Sequence, residues 1–294
     1  MFRTHGGGSA LRAIHLRHRG SDTASGQGTH RHAIPAHLAQ RASSARLGLS
    51  PARQVSPRER LIIALDVGSA EEAELLVSRI GEAGVFYKIG MELVYAGGLP
   101  LVRRLVGEGK QVFVDLKLHD IPNTVERAAA QIARLGASFL TIHAYPQTMK
   151  AALAGTAGSK LKVLGVTVLT SMNDKDLVEA GYASGVETTV VHRARQAKSR
   201  GLDGLVLSPR EVAMVRGVVG NHLILVTPGI RPKGSGAGDQ KRVMTPAEAI
   251  AAGTDHIVVG RPVTEARDPK AAVASITADI ERGLGERKNA IAAG

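Results

Sequence analysis

Residues 113–120 read Phe113-Val114-Asp115-Leu116-Lys117-Leu118-His119-Asp120, an apolar run that changes into alternating apolar and charged residues. Alternate side chains of a strand point to the same face, so Asp115 and Lys117 share one face. If Leu116 faces surrounding helices, both charges point into the interior of the fold. Buried charges are costly unless they are paired, so this strand is predicted to end in an ion pair.

Seven further apolar runs lie on either side of this one in the chain. Each is rich in Val, Ile and Leu on both faces, a pattern typical of parallel strands that are buried on both sides. The eight predicted strands cover residues 61–65, 85–89, 111–116, 139–142, 162–169, 204–207, 223–226 and 256–259.

Helix-start signals follow several of these strands. Ser69 with Glu72 fits a capping box, in which two side chains each satisfy a free backbone amide at the helix start. The signal recurs, with proline at the first helical position, at Ser208-Pro209-Arg210-Glu211, Thr245-Pro246-Ala247-Glu248 and, in part, Asp268-Pro269. Eight strands that each precede a helix within residues 59–294 predict an α/β fold, the (β/α)8 TIM barrel. A doubly wound open sheet is the alternative.

Composition limits the possible classes of protein. Hydrophobic residues make up 44% of the 294 residues, but only four Phe, four Tyr and no Trp occur, so we expect an aliphatic core. The absence of Cys excludes disulfides, thiolate metal sites and a Cys nucleophile. No apolar run approaches the roughly 18 residues that a membrane span needs. We therefore expect a cytoplasmic protein.

The first 58 residues differ from the rest. They hold nine Arg, no Lys and a single acid, Asp22, and so carry +8 of the formal net charge of +12. They show no sustained apolar periodicity and cannot bury enough surface to offset their ordering entropy. We predict a disordered basic extension over residues 1–58 and a catalytic domain over 59–294. A misassigned start, a targeting segment and a tail for an anionic partner remain open interpretations of the extension.

Polar and charged residues lie at or just after the end of nearly every predicted strand. In a barrel of this kind the active site lies at the C-terminal ends of the strands. The residues at these positions are Asp66, Lys88, Asp115, Lys117, His119, Asp120, His143, Thr170, Ser171, Arg231, Gly260 and Arg261. We expect a catalytic cleft there, in which Lys88 pairs with Asp115. A structural ion pair at the barrel mouth is the alternative.

A glycine-rich region follows the seventh strand. It reads Pro228-Gly229-Ile230-Arg231-Pro232 and then Gly234-Ser235-Gly236-Ala237-Gly238-Asp239-Gln240-Lys241-Arg242. Glycine lets backbone amides approach a phosphate, and arginine offers it a planar fork of donors. With Gly260 and Arg261 after the eighth strand, the region matches the usual phosphate site of such barrels. A flexible surface loop is the alternative, and a loop that closes over its ligand would act as a lid.

Five segments, in chain order, resemble the orotidine 5′-phosphate decarboxylase family. The most specific is the ten-residue stretch from Asp115 to Thr124, Asp115-Leu116-Lys117-Leu118-His119-Asp120-Ile121-Pro122-Asn123-Thr124. The others are Ala64-Leu65-Asp66, Lys88-Ile89-Gly90, Pro228-Gly229-Ile230-Arg231 and Val259-Gly260-Arg261. The resemblance covers essentially all of residues 60–280 and none of the extension.

The resemblance implies a homodimer whose active sites lie at the subunit interface and which decarboxylates orotidine 5′-phosphate to UMP in pyrimidine biosynthesis. Lys88, Asp115 and Lys117 would form a charged array that Asp120 of the other subunit completes. Lys117 would give the proton to C6 of the pyrimidine. The implied substrate contacts are Asp66, Lys88 and Thr124 to the ribose, Thr170 with Ser171 beside it to the pyrimidine, and Arg231, Gln240, Gly260 and Arg261 to the phosphate.

The implied chemistry needs neither a cofactor nor a metal. Loss of CO2 from C6 leaves a carbanion with no adjacent carbonyl to delocalise it, and many decarboxylases use an organic electron sink for this purpose. Nothing in the sequence suggests one. A preorganised ammonium would stabilise the developing negative charge and supply the proton. Asp115 beside the departing carboxylate would also destabilise the ground state.

One segment departs from the resemblance. After the fourth strand the chain reads His143-Ala144-Tyr145-Pro146-Gln147-Thr148-Met149, where many relatives have a glycine pair. We interpret this as a loop variation. His143 is interpreted equally well as a structural strand-end residue and as a ligand contact, whereas His119 is interpreted as structural because it points away from Lys117.

Two rival functions remain. The first is a metal-dependent sugar-phosphate lyase on the same barrel, with a similar Asp-x-Lys-x-x-Asp strand and an acidic Mg²⁺ site. The continuation from His119 to Thr124 favours the pyrimidine enzyme. The second is a nucleic-acid binder that uses the basic extension, but residues 1–58 hold only one aromatic residue, Phe2, for base stacking. We therefore expect no nucleic-acid partner.

Overall fold

The computed structural model describes residues 55–233 and 244–293. In these ranges eight parallel strands form a closed barrel in the order β1 to β8, and β8 pairs with β1. The strands are β1 Leu61–Ala64, β2 Phe86–Gly90, β3 Gln111–Leu118, β4 Phe139–His143, β5 Lys162–Val166, β6 Gly204–Val206, β7 Ile224–Thr227 and β8 His256–Val259. The predicted TIM barrel is therefore confirmed.

Helices lie before β1, between successive strands and after β8. They are α1 Pro57–Arg60, α2 Ala70–Ile80, α3 Met91–Leu93, α4 Leu99–Gly107, α5 Pro122–Arg134, α6 Pro146–Gly155, α7 Asp174–Glu179, α8 Val186–Ser199, α9 Val212–Val219, α10 Pro246–Ala251, α11 Arg261–Thr264 and α12 Pro269–Ala293. Short 3₁₀ turns occur at Gly81–Ala83 and Pro209–Glu211, and an irregular π-type turn at Val94–Gly98.

Two of the predicted capping boxes are only half formed. One is at Ser208, where the Glu211 carboxylate accepts the Ser208 amide at 3.0 Å but the Ser208 hydroxyl has no partner among the described residues, and the other is at Ser69. Thr245 and Glu248 form the full reciprocal box, with the Glu248 carboxylate 2.9 Å from the Thr245 amide. At α2 the Ser69 hydroxyl accepts the Glu72 amide, but the Glu72 carboxylate accepts the Gly68 amide at 3.2 Å instead of that of Ser69. Only half of the box predicted there is formed.

Strand β5 ends earlier than predicted, at Val166 instead of residue 169. Just after the strand, the Thr167 carbonyl accepts a hydrogen bond from the guanidinium of Arg193. Arg193 is a buried residue of α8. Such a contact joins residues that are distant in the chain, and local sequence carries no signal for it.

The core has two layers, which follow from the two faces of each strand. Between the sheet and the helices the packing is mainly aliphatic, but the fully buried Tyr87 also belongs to this layer. The barrel interior differs, because Phe86, Phe113 and Phe139 fill it together with aliphatic side chains. These three phenylalanines thus lie together where large side chains from neighbouring strands meet. The expectation of a purely aliphatic core was wrong for this layer.

The N-terminal end of the barrel is closed by α1. Ser56 and Glu59 form a capping box at its start, and the Arg60 guanidinium donates to the Asp255 carbonyl at 2.9 Å. This helix begins two residues before the domain boundary predicted at Glu59. Residues 1–54, nearly all of the predicted extension, lie outside the described residues.

His256 lies in the barrel interior beneath this helix. Its Nδ1 donates to the Glu59 carbonyl at 2.9 Å, and its ring packs edge-on against Phe86 and Phe139. Burial lowers the pKa of His256 from 6.5 to about 4, although nearby Asp255 opposes the shift. The ring is therefore neutral in the folded protein at neutral pH.

This burial predicts an acid-sensitive contribution to stability. Because the pKa of His256 is lower in the folded than in the unfolded chain, the contribution is complete above pH 6.5 and decreases as the pH falls toward 4. We expect His256 to account for a loss of roughly 3 kcal/mol in the free energy of unfolding across this window. Urea unfolding of the wild type and of His256→Asn, near pH 7 and near pH 4.5, measures it. Equal pH dependence in the two proteins would contradict the prediction.

Candidate active site

A cleft of about 800 Å³ opens at the C-terminal ends of the strands. Eight residues predicted for the site line it, namely Asp66, Lys88, Asp115, Lys117, Thr170, Arg231, Gly260 and Arg261. They come from the ends of β1, β2, β3, β7 and β8 and from the loop after β5. The polar residues that were expected to meet at the C-terminal ends of the strands therefore line one concave cleft.

Charges of alternating sign form a row across one wall of the cleft. The Lys88 Nζ lies 2.7 Å from Asp66 Oδ1 and 3.6 Å from Asp115 Oδ2. The Lys117 Nζ lies 3.0 Å from each carboxylate oxygen of Asp115. Asp66, Lys88, Asp115 and Lys117 are called the charged row below. Each inner charge has a partner of opposite sign on both sides, which offsets the cost of burying it.

Asp115 is the carboxylate that lies between the two lysines of the charged row. Its side chain is 13% exposed, against 9% for Lys88 and 28% for Lys117. Burial alone would raise the pKa of Asp115, but Lys88 and Lys117, with hydrogen bonds from Thr141 and Lys117, hold it below its usual value. Asp115 is therefore a carboxylate at neutral pH, fixed between two ammonium groups.

Lys117 reaches the cleft through an irregular backbone. Its φ is +48°, and no other non-glycine residue in the described ranges has a positive φ. The pairing of β3 with β4 shifts at this point, because Val114 pairs with Leu140 but Leu118 pairs with Ile142. A β-bulge of this kind redirects side chains beside functional sites. Strand alternation predicted the common direction of Asp115 and Lys117, but not the bulge.

The expected phosphate region is described in part. Pro228, Gly229, Arg231, Gly260 and Arg261 line one side of the cleft. Arg231 is buried, and its guanidinium donates to the Ile230 carbonyl at 3.0 Å. Gln240 and the rest of the predicted loop, residues 234–243, lie outside the described residues.

Asp120 and Thr124 do not reach the cleft of their own chain. Both are exposed, and Asp120 Oδ1 accepts the Ile121 amide at 2.6 Å. Ile121 between them is 67% exposed, which is unusual for a large apolar side chain. The whole segment from His119 to Thr124 is exposed beside the cleft.

His119 and His143 belong to an aromatic cluster next to the cleft. The His119 ring stacks on Tyr145 at 4.6 Å and lies 5.8 Å from His143. Arg193 in turn lies over Tyr145 at 4.6 Å and donates to the Tyr182 hydroxyl at 3.0 Å. Burial, and then the nearby cations, lower the pKa of His143. Tyr145, which lies in the segment after β4 that we interpreted as a loop variation, thus packs against the segment that begins at His119.

The sequence analysis missed one residue that contacts the charged row. Thr141, on β4, is fully buried and donates to Asp115 Oδ1 at 2.7 Å. Its signal was present as a single hydroxyl within the apolar run of residues 139–142. A lone threonine in a strand has many uses, so this signal alone did not select it.

The described residues contain neither a cluster of metal ligands nor a membrane-spanning helix. Among residues 55–233 and 244–293, no group of three or more His, Cys, Asp or Glu side chains is placed to hold a metal ion. No helix in the same ranges is both long and apolar enough to cross a membrane.

The sequence matches a known family over most of its length. The model of the "Orotidine 5′-phosphate decarboxylase / HUMPS family" matches residues 59–276. The chain belongs to this family. The match begins at Glu59 and includes every member of the charged row and both cleft arginines.

Individual members of the orotidine 5′-phosphate decarboxylase family are similar in sequence to this chain over nearly their full lengths. A protein of Bradyrhizobium sp. (strain BTAi1) named orotidine 5′-phosphate decarboxylase is 63% identical over 79% of this chain and 95% of its own. One from Rhodopseudomonas palustris (strain TIE-1) is 60% identical over 98% of its length. The crystal structure of orotidine 5′-phosphate decarboxylase from Lactobacillus acidophilus has a TM-score of 0.67 and 39% identity, and covers 75% of this chain and 98% of its own.

Proposed function

We propose that this chain is an orotidine 5′-phosphate decarboxylase, which converts orotidine 5′-phosphate to UMP and CO2 in pyrimidine biosynthesis. The family match and the names of relatives above 60% identity support this activity. The observation that carries the proposal is the charged row, in which two ammonium groups flank one buried carboxylate in a cleft that also holds two arginines.

The roles in the reaction follow from where charge develops. When the C6–CO2 bond breaks, its electron pair remains on C6 and CO2 leaves. The Lys117 ammonium then transfers a proton from Nζ to C6, and the neutral amine regains a proton from water. Before that transfer the ammonium stabilises the developing carbanion, which is electrostatic and general-acid catalysis by one group. Asp115 beside the departing carboxylate disfavours the bound substrate by like-charge repulsion. No cofactor is needed, because Lys117 supplies both effects.

The remaining residues would bind the substrate. Arg231, Gly260 and Arg261 hold the phosphate, with Gln240 added from the loop, because arginine forks and exposed backbone amides suit phosphate oxygens. Asp66 and Lys88 contact the ribose hydroxyls, and Thr170 contacts the pyrimidine. Phosphate binding far from C6 provides binding energy that orients the reacting carbon at Lys117.

We further propose a homodimer with shared active sites. Asp120 and Thr124 are exposed in a segment that also presents Ile121, so they are available to a second copy of the chain. In a two-fold dimer the same segment of each subunit can enter the other subunit's cleft. Residues 59–294 would form the catalytic domain, residues 1–58 a separate extension, and the reaction would take place in the cytoplasm.

A direct assay separates this function from the metal-dependent sugar-phosphate lyases. Purified protein is mixed with orotidine 5′-phosphate in EDTA, and near-ultraviolet absorbance follows the formation of UMP. We expect rapid turnover that EDTA does not reduce. A folded protein with no turnover of this substrate, but with Mg²⁺-dependent turnover of a sugar phosphate, would contradict the proposal.

A further inference from the structure

The pairing of β3 with β4 leaves three residues opposite one. Val114 pairs with Leu140 and Leu118 pairs with Ile142, so only Thr141 lies opposite residues 115–117. In a regular parallel ladder, backbone carbonyls of β4 would accept the amides of this segment. At the bulge a side chain takes this role, because the Lys117 amide donates to Thr141 Oγ1 at 3.0 Å.

The same hydroxyl also makes a second bond. It donates its proton to Asp115 Oδ1 at 2.7 Å while it accepts from the Lys117 amide. One buried side chain therefore fixes both the carboxylate of Asp115 and the backbone of Lys117. That backbone has φ +48°, a conformation that non-glycine residues adopt only when their surroundings hold them in it.

The two hydrogen bonds at this position require the Thr141 hydroxyl, and a side chain of the same volume without a hydroxyl could not make them. Thr141 is completely buried, and its neighbours in β4 are the apolar residues Leu140 and Ile142. Valine would fill nearly the same volume, but it would offer neither an acceptor to the Lys117 amide nor a donor to Asp115. Loss of the hydroxyl therefore leaves a buried amide without its partner and a carboxylate with one donor fewer.

We propose that Thr141 is a positioning residue, which holds the Asp115 carboxylate and the Lys117 backbone in the geometry that delivers the Lys117 ammonium to the reacting carbon. This inference rests on the proposed decarboxylase function. Thr141 is not among the residues that line the cleft. It acts only through the two residues that it binds.

The test compares three variants with the wild type. Thr141→Val removes the hydroxyl, and Thr141→Ser keeps it. Thr227→Val is the matched control, because Thr227 is equally buried in a barrel strand but bonds to Thr254, away from the charged row. Circular dichroism and thermal unfolding establish that each variant is folded. If Thr141→Val does not fold, Thr141→Ala removes the same hydroxyl and is judged by the same criteria.

We expect Thr141→Val to lower kcat by about 10²-fold, the cost of a small misplacement of a reacting group, while KM changes much less. Thr141→Ser should recover most of the lost kcat, and Thr227→Val should keep wild-type activity. If Thr141→Val retains wild-type kcat, or if Thr141→Ser is impaired as strongly, the hydroxyl does not position the charged row and the proposal is overturned.

A second measurement needs no substrate. Titration of the Asp115 side chain by NMR should give a higher pKa in Thr141→Val than in the wild type, because one hydrogen bond to the carboxylate is lost. The charged groups that face Asp115, Lys88 and Lys117, are unchanged. If the wild type itself does not turn over orotidine 5′-phosphate, the proposed function fails and this titration alone decides the role of Thr141. An unshifted pKa overturns it.

Discussion

Lys117→Ala is expected to lower kcat by at least about 10⁴-fold, because it removes electrostatic stabilisation of the carbanion and the proton donor together. Neither function has a substitute in the charged row. Lys88 lies 2.7 Å from Asp66 and is held there by the ion pair. Steady-state turnover of orotidine 5′-phosphate, measured with enough enzyme to detect slow rates, gives the loss in kcat.

The variant should fold, so loss of activity can be assigned to chemistry. Asp115 keeps Lys88 at 3.6 Å and the Thr141 hydroxyl at 2.7 Å, so the buried carboxylate retains partners when Lys117 is removed. Lys162→Ala is the matched control, because Lys162 is an exposed residue at the opposite end of the barrel, where β5 begins. Retention of more than a hundredth of wild-type kcat by a folded Lys117→Ala protein would assign the proton to another donor.

The fold could be predicted from sequence because buried parallel strands carry a local signal. Continuous apolar runs gave all eight strands, and seven of them end within two residues of the predicted position. The exception is β5, which ends three residues early where Arg193 from α8 binds the Thr167 carbonyl. That contact depends on packing between distant parts of the chain, and periodicity cannot reveal it.

The sequence predicted one part of the geometry of the cleft and missed another part for related reasons. The rule that strand ends meet at one rim brings Asp66, Lys88 and Asp115 together, since it needs only the order of the strands. The positive φ of Lys117 and the bond from Thr141 depend on the register between β3 and β4. Register is set by the pairing of two strands and is not carried by either strand alone. Local sequence carries even less information about a side chain such as Asp120, which we propose acts in another subunit.

The barrel gives the charged row its order. Asp66 follows β1, and Lys88 and Asp115 lie in β2 and β3, so the three residues belong to consecutive strands that are neighbours in the closed sheet. Successive strand ends therefore place charges of opposite sign side by side, and Lys117 adds the last ammonium through the bulge. An array built on strand ends is rigid, so its dipoles need no reorganisation as charge develops on the substrate.

A heterodimer of two inactive variants is expected to regain activity if the active sites are shared. One chain carries Lys117→Ala and the other Asp120→Ala, and different affinity tags allow the mixed dimer to be purified. If Asp120 acts in the partner's cleft, one cleft has both substitutions and the other has neither. The mixed dimer should then show about half the wild-type kcat per dimer, whereas each variant alone has both sites damaged.

A second mixed dimer carries the same two substitutions on one chain instead of on two. The two models of the active site predict opposite activities for it. A wild-type chain paired with the double variant Lys117→Ala/Asp120→Ala leaves no intact site if Asp120 crosses the interface, since the wild-type cleft receives the substituted Asp120. If each cleft is instead completed by its own chain, this pairing keeps about half of the activity and the first pairing has none. Asp120 is exposed and bonds only to the neighbouring Ile121 amide, so alanine there leaves the barrel unchanged. The two mixed dimers therefore decide whether each active site is formed by residues of one chain or by residues of both chains.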